Sequence, residues 1–272
     1  MKTRAIAILV MVPVIWACTY FGGLPFLLLI LAFALTSVNE FYNMMMKKGY
    51  FPAFWVGNAI TIFFIWFAYL AAKRNWEPEL SAILTLAAIL ALISGIFLKR
   101  EKDTMVDVAV TVLGMIYIGW FFSYFFHIRN LSQHGGYLFF MMLTIWGNDV
   151  VAYLVGSRFG RTKLAPSISP KKSVEGAAAG FATCLLAAAC FSWFLSYRFQ
   201  VNIEMHHALI LGSIIGIVAV LSDLIESVIK RDAGVKDSSR LVPGHGGVLD
   251  RMDSFILTAP VVYYYLVWVV LK

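Results

Sequence analysis

The sequence has 272 residues, of which 61% are hydrophobic and only 14% are charged, and its mean hydropathy is +0.80. Soluble domains contain about 25% charged and about 45–50% apolar residues, so this composition excludes an ordinary soluble protein. The formal net charge of +7 does not indicate nucleic acid, because cytoplasmic loops and anionic lipid explain such an excess in membrane proteins. We therefore predict an all-α integral membrane protein that contacts the lipid bilayer and no nucleic acid.

Nine apolar stretches follow one another along the chain, most of them near the length of a membrane-spanning helix. They cover residues 5–19, 24–41, 52–72, 80–98, 105–126, 135–155, 176–195, 206–224 and 252–271. The first is short and follows basic residues, as in a signal peptide, but the bulky Trp16 argues against cleavage. We predict about nine transmembrane helices, five in an N-terminal region at 1–134 and four in a C-terminal region at 135–272, where the long connections lie.

Lysine and arginine are distributed unevenly over the predicted loops. If the N-terminus is cytoplasmic, 17 of the 22 basic residues fall in cytoplasmic loops and five fall outside. This division follows the positive-inside rule and predicts an external C-terminus. The two longest cytoplasmic connections, 156–175 and 225–251, contain helix-breaking residues and concentrate charge. We expect the functional site there, facing the cytoplasm from the inner (plasma) membrane.

A cluster of ionisable residues is predicted at the end of the eighth stretch. If this segment is helical, four polar residues share one face, namely Asp223, Glu226, Ser227 and Lys230. Such a face points to a cavity or a partner, because exposing it to lipid is costly. The alternative is a helix end whose charges reach the lipid headgroups.

Glu40 is an acid inside the second apolar stretch. An acid within a membrane helix is either a functional residue or a structural polar contact, and both interpretations are open for Glu40.

Residues 227–253 combine basic side chains with a glycine-rich turn. The glycines let a ligand approach the backbone closely, and the basic residues suit a polyphosphate. These residues are Gly244, Gly246, Gly247, Lys230, Arg231, Lys236 and Arg240. Asp250 and Asp253 stand at i and i+3 where the last stretch begins, so their carboxylates project from one face of the predicted helix. Paired carboxylates beside phosphate ligands indicate Mg²⁺, which commonly binds protein carboxylates and substrate phosphates together. In the alternative interpretation, Asp250 is a helix N-terminal charge paired with Arg251.

The same segment resembles a known family. In order it contains S-x-I-K-R, K-D-x-S and P-G-H-G-G-V-L-D-R-M-D, which is similar to the signature of the phosphatidate cytidylyltransferases, or CDP-diacylglycerol synthases. A second family-like stretch runs from Asn148 to Gly176 and includes Arg158-Phe159-Gly160 and Ser169-Pro170-Lys171-Lys172. Ser173-Val174 stands where family members often have Thr-Trp, a mild departure.

The resemblance implies an enzyme that joins CTP and phosphatidic acid to give CDP-diacylglycerol and pyrophosphate. It implies metal-linked carboxylates at Asp223, Asp250, Asp253 and Asp149. It implies basic residues that hold CTP or the leaving pyrophosphate, namely Lys230, Arg231, Lys236 and Arg251. Nucleotide or lipid phosphate would contact Arg158, Lys171 and Lys172. Ser227, Gly246 and Gly247 would complete the substrate site with His245, which could contact phosphate, act as an acid or only shape the loop.

The implied cofactor is Mg²⁺, with a second and monovalent cation left as an alternative, and the implied assembly is a homodimer. Two other functions stay open. A CTP-dependent lipid-alcohol kinase has a related architecture, and a transporter of an anionic solute would explain the basic loops but not the contiguous Asp-Arg-Met-Asp. The spacing of Asp250 and Asp253 does not fit the CDP-alcohol phosphotransferases, whose signature needs acids four residues apart.

Overall fold

The computed structural model describes residues 2–74, 80–98, 103–195, 199, 201, 203–241 and 246–272. Its helices are α1 (Lys2–Phe21), α2 (Gly23–Lys47), α3 (Phe54–Arg74), α4 (Leu80–Phe97), α5 (Thr104–Gly114), α6 (Phe121–Asn130), α7 (Gly136–Phe159), α8 (Val174–Cys190), α9 (Met205–Asp232), α10 (Leu249–Ile256) and α11 (Thr258–Tyr265). Three π-helical segments continue or join them, at Met115–Trp120, Phe191–Leu195 and Leu266–Val270. The predicted helical class is therefore observed.

Seven helices within the described residues are long and apolar enough to cross a membrane. They are Gly23–Lys47, Phe54–Lys73, Thr104–Asn130, Gln133–Phe159, Val174–Trp193, Met205–Asp232 and Leu249–Val270. The first and fourth predicted spans correspond to shorter apolar helices, Met11–Phe21 and Ser81–Phe97. A multi-pass membrane protein is thus confirmed, while the count of nine spans stays a prediction.

The chain forms two compact units. The first contains residues 1–127 together with 232–252, and the second contains residues 128–231 together with 253–272. Residues 232–252, which hold much of the family-like segment, therefore pack with the N-terminal helices of the first unit.

Tyr42 organises the core of the first unit. Its ring is fully buried, and its hydroxyl donates a hydrogen bond of 2.9 Å to the carbonyl oxygen of Thr111 on α5. Gly57 on α3 and Gly114 on α5 make room for this ring, because a Cβ at either position would collide with it. Two glycines thus allow one aromatic side chain to join α2, α3 and α5 closely.

Small residues set the packing in the second unit. Gly180 on α8 faces Asn148 and Ala152 on α7, and an added Cβ would lie 3.1 Å from the Cβ of Ala152. Gly212 on α9 likewise packs against Ala188 on α8. Such small contact residues let helix backbones approach closely, which is the usual way that membrane helices associate. The close packing holds α7, α8 and α9 in a fixed arrangement around the polar residues described below.

The connection between α7 and α8 contains a short antiparallel hairpin that the sequence did not predict. Strands β1 (Lys163–Ala165) and β2 (Ser169–Ser173) pair with Lys163 opposite Ser173 and Ala165 opposite Ser169. The Ser173 hydroxyl then accepts a 3.1 Å hydrogen bond from the Gly176 N–H, which caps α8. The predicted loop is therefore an ordered element between two membrane helices.

Two helices extend further than predicted. The sixth predicted span ends at residue 155, but α7 continues to Phe159, and the eighth ends at 224, but α9 continues to Asp232. Residues 225–232 therefore belong to a helix and not to the predicted loop. Their charges are compatible with helix because Glu226 and Lys230 pair at i and i+4. The apolar residues show which part of a helix crosses the lipid, but the helix continues into the polar residues that follow.

Candidate active site

Three carboxylates converge in the second unit. Asp223 and Glu226 lie one turn apart on α9, and Asp253 lies on α10. One oxygen atom of each lies within 4.8 Å of the others, so the three could hold one metal ion. Glu226 is fully buried, whereas Asp223 and Asp253 are partly exposed. Because hard divalent cations prefer carboxylate oxygens, this set of donors fits the predicted Mg²⁺.

Lysines compensate part of this negative charge. The ammonium group of Lys172 on β2 lies 2.5 Å from Asp223 Oδ2, and Lys230 pairs with Glu226 on the same helix. Asp149 on α7 lies near enough to interact electrostatically with Asp223 and Lys172. Among these described residues and Asp253, four carboxylates therefore face two ammonium groups. The excess of negative charge favours a bound cation over a salt-bridge network alone.

Hydrogen bonds hold Asp253 and the residues that follow it beside α9 in the second unit. The Ser222 hydroxyl donates to the backbone oxygen of Asp253 and accepts a 3.2 Å hydrogen bond from the Leu257 N–H. One carboxylate oxygen of Asp253 accepts a 2.6 Å hydrogen bond from the Ser254 N–H. The orientation of the Asp253 side chain is therefore set by its surroundings, as a preformed ligand requires.

The hairpin carries basic residues to the same part of the unit. The Nε of Arg231 on α9 donates a 3.1 Å hydrogen bond to the carbonyl oxygen of Ile168, in the turn between the strands. Lys172 faces the carboxylates, while the neighbouring Lys171 is exposed. Arg158, at the end of α7, is also exposed and lies 5.8 Å from the ring of Phe159. Exposed cations at this position suit an anionic ligand.

Asp250 has its own set of hydrogen bonds in the first unit. Its Oδ2 atom accepts hydrogen bonds from the Ser238 N–H at 2.9 Å, the Ser238 hydroxyl at 2.9 Å and the Gly247 N–H at 2.7 Å. Gly246 adopts a φ of +83°, and a Cβ there would lie 2.6 Å from this same oxygen. Glycine at 246 is thus required both by the backbone conformation and by the closeness of the carboxylate.

An open cavity of about 870 Å³ lies next to these residues in the first unit. Its lining combines the end of α2 with residues 235–240 and includes three basic residues, Lys47, Lys236 and Arg240, and two acids, Glu40 and Asp237. At the edge of this region Lys48 donates a 2.5 Å hydrogen bond to Asp232, and this hydrogen bond raises the pKa of the Lys48 ammonium. The three cations exceed the two carboxylates by one, so the lining has a small positive excess that suits an anionic ligand.

The predicted site residues are divided between the units. In the second unit lie Asp149, Arg158, Lys171, Lys172, Asp223, Ser227, Lys230, Arg231 and Asp253, and Ser227 donates a long 3.4 Å hydrogen bond to Asp223. In the first unit lie Lys236, Gly246, Gly247, Asp250 and Arg251. His245 falls outside the described residues. The roles assigned to all of these residues stay predictions.

Glu226 had no predicted metal-binding role, and for Glu40 both a functional and a structural role were open. The available signal for Glu226 was its position three residues after Asp223, on the face that the helical period had already defined. The available signal for Glu40 was an acid within an apolar stretch. Glu40 proves to be buried, with hydrogen-bond donors at residues 238, 239, 248 and 249.

Membrane-spanning helices that carry clustered carboxylates and basic side chains define a polytopic membrane protein with a candidate site for phosphoryl or nucleotidyl transfer. A model described as the cytidylyltransferase family matches residues 2–269, and the chain belongs to this family. It is 36% identical to the phosphatidate cytidylyltransferase of Bacillus subtilis, over 90% of each chain. It is 33% identical to that of Synechocystis over 97% of this chain and 96% of the relative, and 31% identical to that of Staphylococcus haemolyticus over 95% and 94%. The resemblance found in the sequence is therefore confirmed.

Proposed function

We propose that this protein transfers the cytidylyl group of CTP to phosphatidic acid, giving CDP-diacylglycerol and pyrophosphate. The relatives that carry this activity in their names match nearly the whole chain. The structural observation that supports the proposal most is the group of Asp223, Glu226 and Asp253 beside Lys172 and Lys230, because it combines donors for a divalent cation with basic groups. Phospholipid synthesis is the setting in which such a product is used.

The reaction needs charge stabilisation more than proton transfer. An anionic oxygen of the phosphatidate phosphate attacks the α-phosphorus of CTP, and the bond from that phosphorus to the bridging oxygen breaks. Pyrophosphate leaves with the electron pair of that bond. Because the attacking oxygen is already ionised, no strong base is required, and the main barrier is the approach of two anions. Fixed cationic groups that face both phosphates lower this barrier.

We assign the divalent cation to the carboxylates of Asp223, Asp253 and Glu226, with Asp149 close to them. When bound, Mg²⁺ would supply positive charge at the phosphates of CTP. Asp250 stays a proposed metal-linked residue, as the family resemblance implies, and the N–H groups of Ser238 and Gly247 orient its carboxylate. A second cation remains compatible with this number of carboxylates.

Basic residues would bind the phosphate groups. Lys230, Arg231, Lys236 and Arg251 are proposed for CTP and pyrophosphate, and Arg158, Lys171 and Lys172 for nucleotide or lipid phosphate. Lys236, Arg251, Arg158 and Lys171 are exposed, so a ligand can reach them directly. Lys172 and Lys230 also orient the acidic cluster through their ion pairs.

A CTP-dependent lipid kinase would use similar groups and differs in the phosphate that is transferred. A transporter would release neither CDP nor pyrophosphate. Family membership favours cytidylyl transfer over both. We further propose a homodimer, which the family resemblance implies, and an active site that faces the cytoplasm.

Metal removal provides a test of the proposed reaction. Purified protein in detergent is expected to release pyrophosphate only when CTP, phosphatidic acid and Mg²⁺ are all present. Exhaustive treatment with EDTA should abolish this release, and added Mg²⁺ should restore it, because uncompensated carboxylates would repel the triphosphate. Full activity after chelation would show that the acidic cluster serves another purpose.

The proposed orientation can be tested by cysteine labelling. Single cysteines would replace the exposed Asp237 or Lys272 in a variant that lacks Cys18, Cys184 and Cys190. An impermeant thiol reagent added to intact cells should label position 272 and reach position 237 only after the membrane is permeabilised. Equal labelling of both positions in intact cells would contradict the nine-span model, in which the last helix separates them.

A further inference from the structure

Glu40 is a buried acid that connects α2 with a segment about 200 residues later in the chain. It is only 3% exposed, and each of its two carboxylate oxygens lies within hydrogen-bond distance of two donor groups. Oε1 accepts from the Ser239 hydroxyl at 2.6 Å and the Val248 N–H at 3.0 Å. Oε2 accepts from the Ser238 hydroxyl at 2.9 Å and the Leu249 N–H at 2.8 Å. One side chain therefore holds both ends of the segment 238–249.

This network includes Asp250. The Ser238 hydroxyl oxygen lies 2.9 Å from Glu40 Oε2 and 2.9 Å from Asp250 Oδ2. A hydroxyl has one proton, so it donates to one carboxylate at a time, and the backbone N–H groups of Ser238 and Gly247 complete the hydrogen bonds to Asp250. Glu40 also accepts from N–H groups at the start of α10, which have no partner within that helix. The positions of Glu40 and Asp250 are thus linked through shared donors.

We propose that Glu40 is a positioning residue for the proposed cytidylyl transfer, on which this inference rests. Its carboxylate holds residues 238–239 and 248–249 so that Asp250 and Gly247 keep the orientation that the reaction needs. Nothing in the immediate sequence of α2 indicates this, because the donors lie 198 to 209 residues away. The proposal gives α2, in the N-terminal region, a role in positioning residues of the proposed reaction.

A direct role in ligand binding fits the geometry less well. The Ser239 hydroxyl and the N–H groups of Val248 and Leu249 donate to Glu40, the Ser238 hydroxyl is shared with Asp250, and the side chain is almost completely buried. A carboxylate in this state orients its neighbours and has little capacity left for a metal ion or a substrate. Partners that orient a ligating carboxylate commonly contribute about 10–100-fold to metal affinity or activity.

Glu40→Gln is the most informative substitution. Glutamine has nearly the same shape, but one end of its amide is an NH₂ group that can only donate. Whichever way the amide is turned, this NH₂ group faces a backbone N–H, of Val248 or of Leu249, that cannot rotate to accept. The variant therefore loses two acceptor positions without a change of size.

We expect Glu40→Gln to lower the turnover of pyrophosphate release by about tenfold or more. In an Asp250→Asn background the same substitution should lower turnover by less than about threefold, because the group that it positions has already been changed. Asp107→Asn is a matched control, since Asp107 is a fully buried acid of the same unit that accepts a 2.7 Å hydrogen bond from the Phe51 N–H. The control should lower the unfolding temperature and leave turnover within about twofold of wild type.

Equal losses of turnover in the wild-type and Asp250→Asn backgrounds would overturn the inference, and so would wild-type turnover in Glu40→Gln. If Glu40→Gln does not fold, Ser239→Ala replaces it, since it removes a single donor to Oε1 and should lower turnover in the same background-dependent way. A wild-type protein without phosphatidate-dependent pyrophosphate release would instead contradict the proposed function. The two failures are therefore distinguishable.

Discussion

Asp223→Asn is expected to lower the turnover of pyrophosphate release by about a hundredfold or more, which corresponds to ~2.7 kcal/mol of activation free energy. Asp223 belongs to the group of three carboxylates and also holds Lys172 at 2.5 Å. Asparagine keeps the shape of the side chain and removes the charge that a divalent cation and the lysine both need. The measurement is turnover of purified variants at saturating CTP, phosphatidic acid and Mg²⁺.

Asp232→Asn is a suitable control for this prediction. Asp232 lies at the end of the same helix, and its side chain is 57% exposed and pairs with Lys48. Exposed ion pairs contribute about 0–1 kcal/mol, so this variant should keep nearly normal turnover and stability. Equal losses of turnover in both variants would indicate a general effect of removing charge from α9 and would contradict a specific role of Asp223.

Asp250→Asn is expected to cause a comparable loss of turnover while the protein stays folded. The Asn oxygen can still accept hydrogen bonds from the Ser238 and Gly247 N–H groups, so the local conformation should persist and only the negative charge is lost. If Asp250 were only a charge at a helix N-terminus, the change would cost about 1 kcal/mol or less of stability and leave catalysis nearly intact. Turnover and unfolding temperature, measured on the same preparation, distinguish these outcomes.

The control for Asp250 is Asp237→Asn, an exposed acid in the preceding loop that should tolerate the change. An Asp250→Asn protein that retains more than about a tenth of wild-type turnover, a barrier change below ~1.4 kcal/mol, would remove Asp250 from the metal site. The remaining candidates among the predicted ligands would then be Asp253, Asp223 and Asp149.

Features that depend on local periodicity could be predicted from the sequence. The shared face of Asp223, Glu226 and Lys230 follows from the helical repeat alone, and α9 continues through all three residues. The apolar stretches identified the membrane helices for the same reason, since length and hydropathy are local properties. The ends of α7 and α9 were placed too early because polar residues can continue a helix beyond the apolar stretch.

Features that depend on distant contacts could not be predicted. The approach of Lys172 to Asp223 requires the hairpin of β1 and β2, whose polar sequence has no strand-like alternation of apolar residues. The donors to Glu40 come from the opposite end of the chain. A single sequence shows that an acid lies in an apolar stretch, but the identity of its partners is a property of the folded chain.

The position of a radioactive label in the product tests the central proposal most directly. Purified protein would be incubated with phosphatidic acid, Mg²⁺ and CTP labelled with ³²P at either the α- or the γ-phosphate. Cytidylyl transfer predicts that α-label enters the lipid fraction and that γ-label is released as pyrophosphate. Entry of γ-label into the lipid, with release of CDP, would contradict the proposal and indicate a kinase, and no transfer of either label to lipid would contradict both enzymatic functions.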